Sequence, residues 1–284
     1  MKIKKNKSLK ELTTWRVGGP ADFFIETKTE KDIKDAIKYA QDNKLNFIVI
    51  GNGSNILVND KGFRGLVIKV SNNDTRAQGK NIICGAGIQL SQVLKFAKDN
   101  KLYGTEFLWG IPGTLGGAIT GNAGMNNQEI KDILKEIKII NSKGIVTKLK
   151  RSNIKFSYRN SSLKRTKYII LEIVLQLSKQ AHRSLDNLAK NRLNQPKGFS
   201  AGSVFKNPKQ GVSAGELIDK AGLKGKKIGG AQISKIHGNF ILNINNAKAS
   251  DISRLISLIQ KEVINKFGIQ LKREVRILGE KKWE

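Results

Sequence analysis

Residues Phe107–Gln128 read FLWGIPGTLGGAITGNAGMNNQ, with glycine at 110, 113, 116, 117, 121 and 124 and no charged side chain. Charged residues make up 26% of the chain. At that frequency a charge-free run of this length arises by chance about once in a thousand draws. A solvated loop has no reason to shun charge. A main chain pressed against a ligand does, because glycine permits tight turns and bare N–H groups can cradle a diphosphate. A buried glycine-rich packing segment without a ligand is the competing reading.

Upstream, Gly51-Asn-Gly-Ser-Asn55 directly follows the apolar run Phe47–Ile50. A strand that ends in a glycine turn is a common anion site. The turn lacks the third glycine of the Rossmann fingerprint and the G-K-[ST] of a P-loop, and Gly85-Ala-Gly87 fails the same tests. Any nucleotide bound here is held by another device; a simple hairpin or strand-to-loop turn is the alternative. Downstream, Phe156-Ser-Tyr-Arg-Asn160 puts Tyr158 and Arg159 side by side between expected strands. Arg159 has the planar fork that grips a carboxylate, although a solvated arginine is common in a basic chain. Ser203 lies in Ser200-Ala-Gly-Ser-Val-Phe-Lys-Asn-Pro208 with no histidine nearby and no G-x-S-x-G elbow. A chemical role for it is therefore proton donation rather than attack, against the alternative of an ordinary polar loop. In Arg273-Glu-Val-Arg276, strand alternation puts Glu274 and Arg276 on one face, which an ordinary salt bridge would also explain. His237 reads as a structural histidine.

The chain has 284 residues, enough for two or three compact units, and its hydrophobic content of 39% excludes wholesale disorder. No apolar run is long enough to span a bilayer, and the start MKIKKNKSLKEL has no signal-like apolar core, so a cytoplasmic protein without a membrane partner is expected. One cysteine, Cys84, excludes an internal disulfide. Two histidines far apart, His182 and His237, argue against zinc or any other metal site. The 52 basic and 23 acidic residues give a net charge of +29. The lysines are scattered and not interleaved with aromatics, which favours compositional bias or small anionic ligands over nucleic acid.

Thr29 is expected to cap a helix with Ile33, Ala36, Ile37 and Ala40 on one face, followed by strands at Phe47–Ile50 and Leu66–Val70. Ser71–Lys80 reads as a turn-rich boundary. Beyond it come a strand at Ile82–Cys84, a helix near 91–100, strands near 136–149, and Tyr168–Leu177 as a strand buried on both faces. A second boundary falls near 180–200. Ser213-Ala-Gly-Glu216 opens a short helix that stops at Gly222. Ser250 is expected to cap a longer one carrying Ile252, Leu255, Ile256, Ile259 and Val263, ended by Gly268. Ile269–Leu278 reads as a strand.

Seven pieces occur in the order of one family: Thr13-Thr-Trp-Arg-Val-Gly-Gly19; Ile50–Asn55; Gly110-Ile-Pro-Gly113 with Gly116-Gly-Ala118 and Asn122-Ala-Gly124; Phe156–Arg159; Ala201–Pro208; Ala221-Gly-Leu-Lys-Gly225 through His237-Gly-Asn-Phe240; and Glu274-Val-Arg276. Together they resemble the UDP-N-acetylenolpyruvoylglucosamine reductase (UDP-N-acetylmuramate dehydrogenase) family. The 44 positions from Arg159 to Ser203 match its shorter, second type, which lacks a tyrosine-bearing loop. Phe199 stands where many members have proline, and Asn52 where glycine or glutamate is frequent.

The resemblance implies an α+β fold with a flavin domain of the vanillyl-alcohol-oxidase (PCMH) type. It implies FAD subdomains at 1–70, joined by a strand at 269–284, and at 71–180, and a substrate domain at 181–268. It implies an NADPH-dependent FAD enzyme of peptidoglycan precursor synthesis, with another FAD oxidoreductase of the same fold as the alternative. Arg159, Ser203 and Glu274 are the implied catalytic residues. FAD is implied at Gly51, Asn52, Gly53, Ser54, Asn55, Ile111, Pro112, Gly113, Thr114, Gly121, Asn122, Ala123, Gly124 and Arg276. The UDP-sugar is implied at Tyr158 and Asn207. The implied partners are small molecules; the oligomeric state is left open.

Overall fold

The structure is a computed structural model and describes residues 2–180, 195–209 and 211–279. His182, the start of the expected substrate domain at 181, and the end of the expected 269–284 strand lie outside the described residues. The chain divides into two units. One gathers residues 2–4, 24–52 and 66–180; the other gathers residues 5–23, 53–65, 195–209 and 211–279.

In the first unit, helix α1 (Glu30–Asp42) starts where expected. The Thr29 hydroxyl accepts from the Asp32 amide at 3.1 Å and the Asp32 carboxylate accepts from the Thr29 amide at 3.0 Å, a reciprocal cap. Its buried stripe is Ile33, Ala36, Ile37 and Ala40. The chain then forms Phe47–Ile50, which pairs in parallel with Leu66–Lys69. A five-stranded antiparallel sheet follows, in the order Val146–Lys150, Leu134–Ile140, Ile169–Gln176, Asn81–Gly85, Thr75–Gln78. Two further helices are α2 (Leu90–Asp99) and α3 (Leu115–Gly121).

Two local expectations need correction in this unit. Thr75–Gln78, inside the stretch read as turns, is an edge strand; three of its four side chains are polar and three are exposed, so it gives no apolar signal. The Ile169–Gln176 strand is fully covered on one face only, through Ile169, Leu171, Ile173 and Leu175. On the other face Ile170 is buried but Gln176 is exposed, and Glu172 meets Arg76 at 2.9 Å. Cys84 lies buried in the neighbouring strand, and burial pushes its thiol up to about 12.

In the second unit, helices α4 (Ala214–Lys220) and α5 (Ala249–Phe267) pack with a three-stranded antiparallel sheet of Lys227–Ile228, Ala231–Ile233 and Ile241–Asn243. Ile56–Val58 pairs in parallel with Arg276–Leu278. The core takes the predicted face of α5 (Ile252, Leu255, Ile256, Ile259, Val263) together with Trp15, Val17 and Leu57 from the N-terminal segments. Burying each such aliphatic side chain contributes about 1.5–3 kcal/mol relative to exposure. Trp15 is fully buried and donates its indole N–H to the Ile241 carbonyl at 2.7 Å. Ser213 caps α4, accepting from the Glu216 amide, and Gly268 ends α5 in the left-handed region at φ +67°.

The N-terminus of α5 differs from expectation. Ser250 lies inside the first turn rather than capping it. The orphan amides of Ala249 and Ser250 are taken by the Asp60 carboxylate at 2.7 and 3.0 Å, and Asp251 accepts from the Lys248 amide at 3.0 Å. Burial alone would raise the Asp60 carboxyl. The Ala249 and Ser250 amides, the Ser250 hydroxyl and Lys248 outweigh it and hold the group below its ordinary value. Its stabilisation is therefore present above the unfolded-state pKa and fades as pH falls through the lower folded value. Asp60→Ala is expected to lower stability by about 1 kcal/mol at pH 7. Denaturant melts of both proteins check this, and the gap between them narrows in acid.

Candidate active site

In the first unit the charge-free stretch folds as turn, helix, turn. Antiparallel bonds zip it to the Gly85-Ala-Gly87 turn: Leu90 N–H to Gly113 O at 3.1 Å, Leu115 N–H to Ile88 O at 2.9 Å and Gly116 N–H to Ala86 O at 2.9 Å. That pattern turns the Thr114 amide away from the strand it faces. Thr114 also caps α3, its hydroxyl accepting from Gly117 N–H at 3.3 Å. Gly51 is glycine because this cap presses on it: a Cβ there would sit 2.2 Å from the Thr114 hydroxyl oxygen. The two stretches expected to hold cofactor, Gly51–Asn52 and Ile111–Thr114, thus meet at Thr114. The Gly85-Ala-Gly87 turn is a packing device: a Cβ on Gly85 or Gly87 would come within 2.6 Å of Asn72 or Ser71 backbone.

The helix ends at Asn122, fully buried and left-handed at φ +50°. Its side-chain Nδ2 donates to Ser157 O at 3.0 Å, while its buried Oδ1 has no donor in the protein. The bond ties the Gly121–Gly124 turn to the hairpin Phe156–Ser157/Asn160–Ser161, whose two-residue tip is Tyr158-Arg159. Arg159 is held at φ +53°, a costly conformation for a side chain with a Cβ, with its guanidinium 5.5 Å from the Tyr158 ring centroid. Lys164 anchors the tip by donating to Arg159 O at 2.7 Å.

In the second unit, Ser203 and Glu274 are brought together. Val204, next to Ser203, accepts the Glu274 amide at 2.8 Å, and Lys206 N–H donates to Lys272 O at 2.9 Å. These bonds replace the ladder expected for the whole 269–278 tail; the strand proper is Arg276–Leu278. Asn55 joins the same cluster, donating to Glu274 O at 3.3 Å and accepting from the Arg276 amide at 3.1 Å through its main chain. Its buried Oδ1 has no donor in the protein. Burial pushes the Arg276 guanidinium's pKa down, but arginine stays protonated in proteins. Gly53 is at φ +61°, and a Cβ there would sit 1.9 Å from Leu12 O. Asn207 Oδ1 accepts from the Ala214 amide at 3.0 Å, fixing the far end of the Ser203 loop to α4.

Two further buried side chains lie within the quoted motifs but carry no sequence signal of their own. Thr14 has a buried hydroxyl with no partner in the protein, one residue from the fully buried Trp15. Asn239, also buried, bonds through its side chain to Phe205. Nothing in local spacing marks either. His237 is structural: burial pushes its pKa down, its neutral Nδ1 accepts from the Asn239 amide at 3.2 Å, and its ring sits edge-on to Phe240 at 5.0 Å.

Each unit carries a buried acceptor open to an N–H or hydroxyl donor from outside the protein. Asn122 Oδ1 in one unit and Asn55 Oδ1 in the other are buried acceptors that the protein leaves without donors. Among the described residues no group of three or more His, Cys, Asp or Glu side chains is placed to hold a metal, and no helix is long and apolar enough to cross a membrane.

Two family models match the chain: an FAD binding domain over residues 21–150 and the C-terminal domain of UDP-N-acetylenolpyruvoylglucosamine reductase over residues 194–278. The chain is 41% identical over 283 residues to the UDP-N-acetylenolpyruvoylglucosamine reductase of Alkaliphilus oremlandii, covering 97% of this chain and 93% of that one. It is 39% identical to the Clostridium tetani protein of the same name, covering 99% and 93%. The solved structure of the reductase from Thermus caldophilus superposes with a TM-score of 0.84 at 33% identity, covering 98% of this chain and 99% of that one. The expected α+β flavin-binding fold holds.

Proposed function

The chain belongs to the UDP-N-acetylenolpyruvoylglucosamine reductase family, and from that premise we propose how its residues carry out the reaction. It is an FAD-dependent oxidoreductase that reduces the enolpyruvyl group of UDP-N-acetylenolpyruvoylglucosamine to give UDP-N-acetylmuramate, with NADPH as electron source. We place it in the cytoplasm, acting on small molecules. We also propose that residues 1–70 with 269–284, and 71–180, hold the flavin, and that 181–268 hold the substrate.

The observation that carries the site reading is the hydrogen-bonded joining of the Ser203 loop, Glu274 and Asn55. FAD held there would supply the hydride chemistry for the terminal carbon of the enolpyruvyl group, with NADPH as the reductant. Gly51–Asn55, Ile111–Thr114, Gly121–Gly124 and Arg276 hold the cofactor, with Asn55 and Asn122 offering it their unfilled oxygens. Arg159 grips the enolpyruvyl carboxylate and offsets the negative charge that grows beside it as the hydride arrives. Glu274 is its acidic companion. Ser203 gives its hydroxyl proton to the carbon next to the carboxylate; a hydroxyl is a weak acid, but that centre is a strong base. Tyr158 and Asn207 contact the UDP-sugar.

Purified protein is expected to be yellow, absorbing near about 450 nm, as a flavoprotein does. Beyond the single equivalent that reduces the flavin, it should oxidise NADPH continuously only when the enolpyruvyl sugar nucleotide is present. Colourless protein that takes up no added FAD would overturn this reading.

A further inference from the structure

Asn239 lies 3% exposed beside the Ser203 loop, in the His237-Gly-Asn-Phe240 turn to which the reaction assigns no task. Four hydrogen bonds meet at this one residue. Its Oδ1 accepts from the Phe205 amide at 2.9 Å, and its Nδ2 donates to the Phe205 carbonyl at 2.8 Å. Its main-chain carbonyl accepts from the Val204 amide at 2.9 Å, and its amide donates to His237 Nδ1 at 3.2 Å. A primary amide fits this arrangement because it donates and accepts from one planar group. Aspartate offers only acceptors when ionised, and leucine, of similar size, offers neither.

The clamp acts on the peptides that place two side chains. Val204 O, on the peptide Asn239 secures, receives the Glu274 amide at 2.8 Å. Ser203 precedes that peptide and bridges to Phe240, the residue after Asn239. The Asn239 side chain therefore fixes Ser203 and Glu274 in one frame. His237 anchors the clamp in turn, packed over Gly215, where a Cβ would lie 2.7 Å from His237 Cε1.

We propose that Asn239 is a positioning residue for the proton-transfer step, acting through the main chain of Val204 and Phe205 on the Ser203 hydroxyl. The proposal rests on the reading of Ser203 as proton donor. A catalytic group must be held within about half an ångström of its working place, and here a neighbour's side chain does the holding. Freed from the clamp, the serine samples positions from which its proton cannot reach the carbon.

The test uses flavin-loaded protein and stopped-flow spectroscopy on the two half-reactions separately. In Asn239→Ala, flavin reduction by NADPH stays close to wild type. Reoxidation by the enolpyruvyl substrate slows about a hundredfold, the scale of a general acid's contribution. Its solvent deuterium isotope effect rises, because proton transfer has become the slow step. Amide exchange at Val204 and Phe205 quickens while the Trp15 core keeps its protection. Asn239→Asp keeps the acceptor and loses the donor; it shows the same selective pattern and serves if the alanine variant fails to fold. Equal loss in both half-reactions, reoxidation at wild-type rate, or slowed reoxidation with an unchanged isotope effect each overturns the proposal. Ser203→Ala separates the two ideas. If it still reoxidises at wild-type rate, the proton-donor reading itself falls; if it is inactive while both Asn239 variants behave as wild type, only the clamp does.

Discussion

Ser203→Ala abolishes turnover while leaving flavin reduction by NADPH nearly intact. The alcohol is needed only in the second half of the cycle, when the carbon beside the carboxylate must be protonated. Loss of a positioned general acid costs about a hundredfold to ten-thousandfold, so the variant's steady-state rate falls by at least that lower figure. Ser203 is half-buried and its removal leaves no large cavity, so the fold should tolerate alanine. Its neighbours Val204 and Phe205 are held through backbone bonds that the substitution leaves in place. The check is stopped-flow: flavin bleaching by NADPH at the wild-type rate, followed by no return of colour on adding substrate. Equal damage to both phases would mean the serine shapes the flavin site instead of donating a proton.

How much of this was legible beforehand depends on how local each cause is. Thr29, Ser213 and Gly268 act within one helical turn, and each marks its helix end as the sequence predicts. Ser250 has the right chemistry for a cap but loses the position to Asp60, about 190 residues away in the chain. No window of sequence contains that competitor. The tail 269–278 has the alternation of a strand, yet Lys272–Val275 bond to the Val204–Lys206 segment and only Arg276–Leu278 form a regular ladder. Propensity describes one chain segment; pairing needs two.

The glycine stretches show the same division. Their number and the missing charge pointed to close approach of a backbone. What approaches is visible only in space: Thr114 at Gly51, Asn72 at Gly85, Leu12 at Gly53. The unfilled oxygens of Asn55 and Asn122 are clearer pointers to a ligand than any glycine, because an unpaired buried acceptor costs about 1–3 kcal/mol unless something donates to it. Such a deficit is a sum over all neighbours, and a sequence does not display it. Asn239 was visible as a letter in a motif and silent as a clamp, since its partner is 34 positions away.

Arg159→Lys is the sharper test of the charge argument, because it keeps the charge and removes the fork. The residue sits at the tip of a two-residue hairpin at φ +53°. Arginine and lysine bear the same penalty for that backbone, so the substitution does not change local strain. Both also carry a long aliphatic stem, so packing against Tyr158 is largely retained. What disappears is the pair of parallel N–H groups that matches a carboxylate in two bonds. If Arg159 only supplied a positive field to draw in anions, lysine would serve, and any residual loss would shrink as salt screens both proteins. If it stabilises charge developing on the carboxylate during hydride arrival, reoxidation by substrate slows about a hundredfold or more, the scale seen when one preorganised donor is lost. That slowing persists at high salt, while reduction of the flavin by NADPH stays at the wild-type rate. Turnover equal to wild type would remove Arg159 from the mechanism and leave the carboxylate to another cation.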